Sequence, residues 1–445
     1  MVKNILLINP WICDFAAYDL WMFPLGILKI ASLIKDTRVR LDFVNFLDRS
    51  QGTSFKIKKD ASRTSSYGTG RFNKELIEKP APVEAVPRPY FRYGLPELIL
   101  RDKLKTLRPD LILVTSGMTY WYPGVKQTIE LLKRVFGDCP VILGGVYATL
   151  CPEHARRYSC ADSVFSGGSM QDILELIGKY LGIELVQRPR QEVLPDFELL
   201  PKKDVLPVQA SKGCPFRCTY CAVHLLEPEL KQADPGSIIN HIVRCFKNFG
   251  THDFVFYDDA LLLNAEQVIK PILRELIKAA LPIRFHTPNG LHARFIDREL
   301  AILMKKSGFT NIRLSLESTL GSIQKKSDNK VTTLELREAA VNLKNAGFKK
   351  QNIAVYTLIG LPGQGEEDVL EDMRFIHDLG VEIELASFSL VPGTAEWKTL
   401  RDKSVIGLET DLLQLSHTAF PLLFGGWNMH TIKKLRLQAK SLNAA

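Results

Sequence analysis

The sequence lacks any apolar run of the roughly eighteen residues needed to cross a bilayer. Its opening, MVKNILLINP, runs straight into a strand-like stretch without the layout of a signal peptide. Both absences point to a soluble, cytoplasmic protein. A disulfide framework is missing too: eight cysteines in 445 residues, three of them clustered, is not the pattern of a secreted scaffold. Cys13, Cys139, Cys151, Cys160 and Cys245 therefore read as free thiols. There is no acidic excess, since the formal charge is +9. Between Arg49 and Arg108 stand 14 Lys and Arg against 6 Asp and Glu, which places +8 in one segment. Such an insertion suits nucleic acid or another anionic partner, or is simply a solvated basic loop.

The length is too great for one ordinary domain, and 46% hydrophobic residues allow large cores. Lys3–Asn9, Arg40–Phe46, Asp110–Thr115, Pro140–Leu143 and Asp162–Phe165 are short apolar runs of strand length, with helical spacing over Pro24–Ile34, over VKQTIELLKRVF and over Gln171–Tyr180. Residues 1–182 thus predict a doubly wound α/β domain, interrupted by the basic insertion 49–108. Ligands of such sheets bind beyond the carboxyl ends of the strands. That places the loop after Pro10, the turn SGMTYWYPG and GGVYAT beside one crevice. Residues 183–206 are proline-bearing and aperiodic, as a linker is.

From Val208 onward, strands alternate with helices: Val208–Ala210, Asp253–Tyr257, Ile283–His286, Asn311–Leu316, Ile353–Ile359 and Ile383–Ser389. Six such units over 207–397 predict a partial (β/α)6 barrel of the TIM type, with its site at the carboxyl ends of the strands. Residues 398–445 follow as a mostly helical tail.

The stretch SKGCPFRCTYCAVHLL sets Cys214, Cys218 and Cys221 in CxxxCxxC spacing. Three soft thiolates within eight residues suit iron-sulfur chemistry. A 4Fe-4S cube held by three cysteines leaves one iron open to bind a small molecule. The alternative is a structural zinc site completed by His224.

CPFRCTYC resembles the cluster loop of the radical S-adenosylmethionine (SAM) enzymes, and the matching motifs extend over about residues 3–397. The resemblance implies a 4Fe-4S cluster on the three cysteines and a SAM site along the strand ends. The backbone at Tyr220 would face the adenine, DFVFYDD with Asp258 and Asp259 the amino group, and LSLES with Ser315 and Glu317 the ribose and carboxylate. TLIGLPGQGEED, with Gly360 and Pro362, would line the adenine. Taken alone, Asp258 is equally a helix N-cap and Glu317 a buried salt-bridge partner.

The first domain resembles the cobalamin-binding domains fused in front of radical SAM domains. Ser116, Gly117 and Met118 occupy the place of the Ser-x-Leu element, Gly144 and Gly145 match the paired glycines, and Tyr147 follows them. Nothing in the first loop matches Asp-x-His-x-x-Gly, so an axial histidine from that position is lacking. Tyr120, Trp121 and Tyr122 would lie near the lower face of the corrin or the substrate, or pack under a neighbouring loop.

The chemistry implied is reductive cleavage of SAM to a 5'-deoxyadenosyl radical, with electrons from a donor such as flavodoxin or ferredoxin. Methyl transfer from cobalamin to an unactivated carbon of an unspecified substrate follows in the cobalamin-fused relatives. The alternatives are a cyclase, rearrangement or oxidation catalyst without methyl transfer, and a non-catalytic metal-binding interaction protein. A tRNA methylthiolation reading fits the basic charge, but the N-terminal cysteines are not grouped for a second cluster and no C-terminal nucleic-acid-binding domain is evident.

Overall fold

The computed structural model describes residues 2–35, 38–49, 66–185 and 194–445. It divides into two compact units, residues 1–202 and 203–445. Among the described residues no helix is long and apolar enough to cross a membrane.

The first unit is built on five parallel strands: β1 (Lys3–Asn9), β2 (Val39–Asn45), β3 (Leu111–Val114), β4 (Val141–Leu143) and β5 (Ser163–Val164). Their order in the sheet is β2-β1-β3-β4-β5. The chain steps outward from β1 to β2 and then returns to the other side of β1 for β3. That reversal opens a crevice beyond the carboxyl ends of β1 and β3. The central strands read ILLI and LILV because both faces are covered. Helix Met170–Leu181 begins with a Ser169–Asp172 capping box and stops at Gly182 in the left-handed region.

The basic insertion is described from residue 66 on, and the run 50–65 lies outside the described residues. Lys74–Ile77 and Tyr90–Tyr93 form an antiparallel sheet with Ile12–Asp14, a stretch whose sequence reads as a loop after β1. Ile12, Leu47, Phe72 and Tyr93 give it a small core of its own. Several cations of the segment already have partners. Arg92 meets Glu75 and Glu97 and lies over the Trp11 ring, and Arg49 meets Asp19. This part is a folded hairpin, not a solvated loop.

The second unit carries six parallel strands in sequential order: β6 (Val205–Val208), β7 (Asp253–Phe256), β8 (Arg284–His286), β9 (Phe309–Glu317), β10 (Ile353–Ile359) and β11 (Glu382–Ser387). This is a partial barrel, open between β6 and β11. Helices between the strands start on side-chain caps, such as Asp234 before Pro235–Phe249 and the Thr332–Glu335 capping box before Thr333–Asn345. The first strand begins at Val205, earlier than the Val208 expected from sequence, and takes in part of the expected linker. Pro207 lies within this strand. It is tolerated because β6 is an edge strand, where a missing N–H costs no ladder bond on its open side. Within that linker residues 186–193 lie outside the described residues, and Phe197–Leu199 forms a short 3-10 turn.

The tail is helical and packs on the same unit. Its last helix, Met429–Ala444, brings the Asn443 amide to the edge strand β11, accepting from Ile383 N at 2.8 Å and donating to Ile383 O at 2.9 Å. One side chain thereby occupies the free backbone groups of an exposed edge.

Gly145 sits at φ +91°, and a Cβ there would lie 2.5 Å from Ser116 O and 2.6 Å from Ser116 N. Gly145→Ala is therefore expected to destabilise the first unit by about 1–3 kcal/mol, read as a lower midpoint in denaturant unfolding of the full chain.

Candidate functional site

In the first unit a cavity of about 260 Å³ lies at the reversal point of the sheet. It is lined by residues following β1 (Pro10, Trp11), by Thr115, Ser116 and Gly117 after β3, by Gly145 after β4, and by Met22 and Trp121. Of the residues singled out in sequence, Ser116, Gly117 and Gly145 face this cavity. Tyr147 does not. It is fully buried, with its hydroxyl 2.7 Å from His154 Nδ1. Met118 is exposed and is not part of the lining.

The two turns are locked to each other. Ser116 Oγ donates to Gly144 O at 2.6 Å, and Val146 N donates to Ser116 O at 3.0 Å. Gly145 is thus the residue that lets the two turns touch, whereas an added Cβ at Gly144 would meet nothing within 4 Å. The three aromatics after β3 part ways. Tyr120 is buried, Tyr122 packs on Tyr147 and His154, and Trp121 faces the cavity with its Nε1 donating to Asp14 at 2.8 Å.

In the second unit the thiol loop follows β6. Cys218 is buried, while Cys214 and Cys221 are half-buried. Two carboxylates at the end of β7 hold the chain leading into it. Asp258 accepts from Ala210 N, Ser211 N and Ser211 Oγ, and Asp259 accepts from Gly213 N at 3.1 Å. Asp258 is therefore not a helix cap: all three donors come from the approach to the loop. Burial pushes its carboxyl up to about 7, against the pull of the Ser211 and Ala210 hydrogen bonds.

The far side of the loop is stitched to residues 326–328. Thr219 N donates to Lys326 O at 2.8 Å, Arg217 N to Asp328 Oδ2 at 2.8 Å, and Cys218 Sγ to Ser327 O at 3.2 Å.

Beyond these contacts the chain turns through Asp328 and Asn329, both at positive φ, and delivers Lys330 to the buried end of β9. There the ammonium pairs with Glu317, itself buried and at φ +69°. The salt-bridge alternative for Glu317 is thus real, and it lies beside the thiols. Burial raises Cys218 to about 12 and raises Cys214 and Cys221 as well, while Lys330 opposes the rise at all three. Burial alone would lower Lys330, but Glu317 and the thiolates outweigh it and hold the ammonium above its usual range. Bare thiolates are disfavoured in such surroundings, and an iron-sulfur group would supply the missing positive charge.

His224, the residue that would complete a zinc set, stands on the short helix Val223–Leu226. Among the described residues no three His, Cys, Asp or Glu side chains gather closely enough to hold a single ion.

The remaining strand ends are braced by side chains. Ser315 Oγ donates to Leu291 O at 3.4 Å, and Gly290 is required because a Cβ would lie 2.8 Å from Ser315 Cβ. Asp372, fully buried, accepts from Ser318 Oγ, Thr319 N, Thr319 Oγ1 and Thr357 Oγ1 and so fixes the turn after Glu317. Gln364 takes hydrogen bonds from Gly360 N and Leu361 N, shaping the loop that holds Pro362. A Cβ on Gly360 would strike the Pro421 ring at 2.7 Å, so the tail covers this strand end.

Sequence reasoning missed Lys330, Asp372 and Gln364. The Asp-Asn pair before Lys330 was the available signal, since such residues tolerate the left-handed turn.

The family profile described as the radical SAM superfamily matches residues 208–376. The second unit thus carries a radical SAM domain, and that stretch of the chain belongs to this superfamily. An anaerobic magnesium-protoporphyrin IX monomethyl ester cyclase of Rubrivivax gelatinosus is 23% identical over 318 residues, covering 63% of this chain and 56% of the cyclase. The matched region thus spans little more than half the length of that relative. An uncharacterized methyltransferase of Pyrococcus horikoshii is 23% identical over 330 residues, covering 66% of this chain and 70% of the relative. Among solved structures, the radical SAM methyltransferase TsrM of Kitasatospora setae, with cobalamin and a [4Fe-4S] cluster bound, superposes with a TM-score of 0.65 at 15% identity. It covers 92% of this chain and 80% of TsrM. The α/β fold, from the N-terminal parallel sheet through the barrel to the helical end, is therefore that of TsrM.

Asp258 gives a signed pH dependence. Its folded pKa of about 7 lies above the unfolded aspartate value of roughly 3.9. The folded state holds the proton more tightly, so this contribution to stability is full below about pH 4 and is lost as pH rises through about 7. The unfolding temperature of the metal-free chain should fall over that range, and Asp258→Asn should flatten the slope.

Proposed function

We propose that the chain is a radical SAM enzyme that holds a 4Fe-4S cluster on Cys214, Cys218 and Cys221 and transfers a methyl group from cobalamin to an unactivated carbon. The observation that carries the reading is the three-thiol loop, anchored at the carboxyl ends of the barrel strands with the buried Lys330–Glu317 pair beside it. The bound cluster would supply the electron that cleaves SAM, and cobalamin the methyl group. An external low-potential donor, such as flavodoxin or ferredoxin, would restore the electron.

The residues of the chain place and enclose the reactants. Lys330 offers the cation suited to the carboxylate of SAM, and Glu317 an acceptor for ribose hydroxyls once the pair opens. Asp259 has one hydrogen bond from Gly213 and a second oxygen left for the amino group. Gly360 and Pro362 form an apolar wall for adenine, closed from behind by Pro421. In the first unit, the small cavity at the sheet reversal, floored by Ser116, Gly117 and Gly145, suits the nucleotide tail of cobalamin. Trp121, not a histidine, faces it.

A second reading keeps the radical and omits methyl transfer. It is favoured by the similarity to a cyclase over 63% of this chain.

Elemental analysis of the anaerobically purified chain from cobalamin-supplied cells tests both halves. About four irons per chain, the content of one cube, together with cobalt is the expected result. Iron without cobalt turns the reading to the second form, and zinc alone overturns it. Cys218→Ala should abolish 5'-deoxyadenosine production under strong reductant; a variant that still makes it refutes the cluster assignment. Lys330→Met should weaken SAM binding by roughly tenfold or more, the worth of one charge-assisted hydrogen bond, measured by calorimetry on the iron-loaded chain.

A further inference from the structure

Tyr220, between the second and third thiols, carries a hydroxyl that is sealed from solvent and has no hydrogen-bond partner. Its surroundings are specific. Glu317, Cys218 and Cys221 lie around it, and the Cys218 sulfur is near enough to act on it as a side-chain partner, although no hydrogen bond of good geometry forms. Each of these three groups is an acceptor when ionised. Glu317 is already engaged by Lys330. Cys218 is a thiol that gives its own proton to Ser327 O at 3.2 Å, leaving its sulfur lone pairs unused.

A buried donor without an acceptor costs about 1–3 kcal/mol. The cost disappears if a neighbouring thiol becomes a thiolate, which is what binding to iron requires.

We propose that Tyr220 donates its hydroxyl proton in a hydrogen bond to the sulfur of Cys218, or to a sulfide beside it, when the cluster is in place, and thereby raises the reduction potential of the cluster. The proposal rests on the cluster reading given above. Its physical basis is that reduction increases negative charge on the sulfurs, so a donor aimed at sulfur stabilises the reduced form more than the oxidised one. Tyr220 acts through the cluster and is a tuning residue. The sequence-based role for this position concerns its backbone, whereas the proposal concerns the side chain.

Tyr220→Phe removes the hydroxyl and keeps the ring. The wild type and the variant, reconstituted anaerobically as full chains without SAM, are titrated redox-potentiometrically with the reduced cluster read by electron paramagnetic resonance. The variant is expected to load the same iron and to reduce at a lower potential. 3-Fluorotyrosine placed at position 220, a more acidic donor, should shift the potential upward. Opposite shifts in the two variants are not produced by a merely structural role.

Equal potentials in fully loaded wild type and Tyr220→Phe overturn the proposal and leave the cluster reading standing. The proposal falls equally if the potential is unchanged and only SAM affinity drops, which assigns the hydroxyl to SAM. Should Tyr220→Phe fail to load iron, the fluorotyrosine chain decides: no upward shift overturns the proposal. Failure of the wild type itself to hold iron overturns the cluster reading.

Discussion

The carboxylate of Asp258 collects three hydrogen bonds from Ala210 and Ser211, and the thiol loop begins three residues later. The course of the three-cysteine loop is held by such polar anchors. Asp259 continues the hold at Gly213, and residues 326–328 close it from the other side. Buried carboxylates are stable there only because each is surrounded by donors. The same device recurs at Asp372, whose four donors set the turn after β9, and at Gln364 after β10. The strand ends of this barrel are therefore rigid although they lie in loops, as a site demanding fixed geometry requires.

The charge placed inside that frame is sparse and matched. Lys330 and Glu317 form a buried pair, and removal of either partner leaves a charge stranded, which is why such pairs hold their geometry. Glu317 accepts a left-handed backbone to reach this position. Strain at the end of a strand, next to three thiols and a buried cation, is the kind of feature that concentrates where a protein binds and reacts. His292 marks the same region. Burial, then Lys330 and Arg294, push its pKa down to about 3, so it is neutral beside the edge of Phe216 in the thiol loop.

Much of the architecture was legible because the central strands of the two parallel sheets are short apolar runs with a turn behind them. KNILLIN, LILV and IAVYTLI announce buried parallel strands by composition alone. The spacing of Cys214, Cys218 and Cys221 was equally plain, since it is local in the chain. Elements whose partners are distant in sequence were harder. Ile12–Asp14 has no strand pattern of its own and becomes a strand only because Tyr90–Tyr93, nearly eighty residues on, lies beside it. Val205 and Leu206 read as the end of an aperiodic linker and become strand by pairing with Asp253 and Phe254, almost fifty residues on.

Local sequence was enough to set the alternation of strands and helices, the three-thiol loop, and the glycine-bearing turns after β3 and β4, because periodicity, ligand spacing and left-handed turns are properties of neighbouring residues. What each polar group is for was settled in three dimensions. Packing turned Asp258 into an anchor, sent Tyr147 to His154 and away from the cavity, brought Lys330 to Glu317, and left the hydroxyl of Tyr220 without an acceptor. The physical reason is that a hydrogen bond or an ion pair is satisfied by whichever group arrives in space, and arrival is settled by the packing of whole elements.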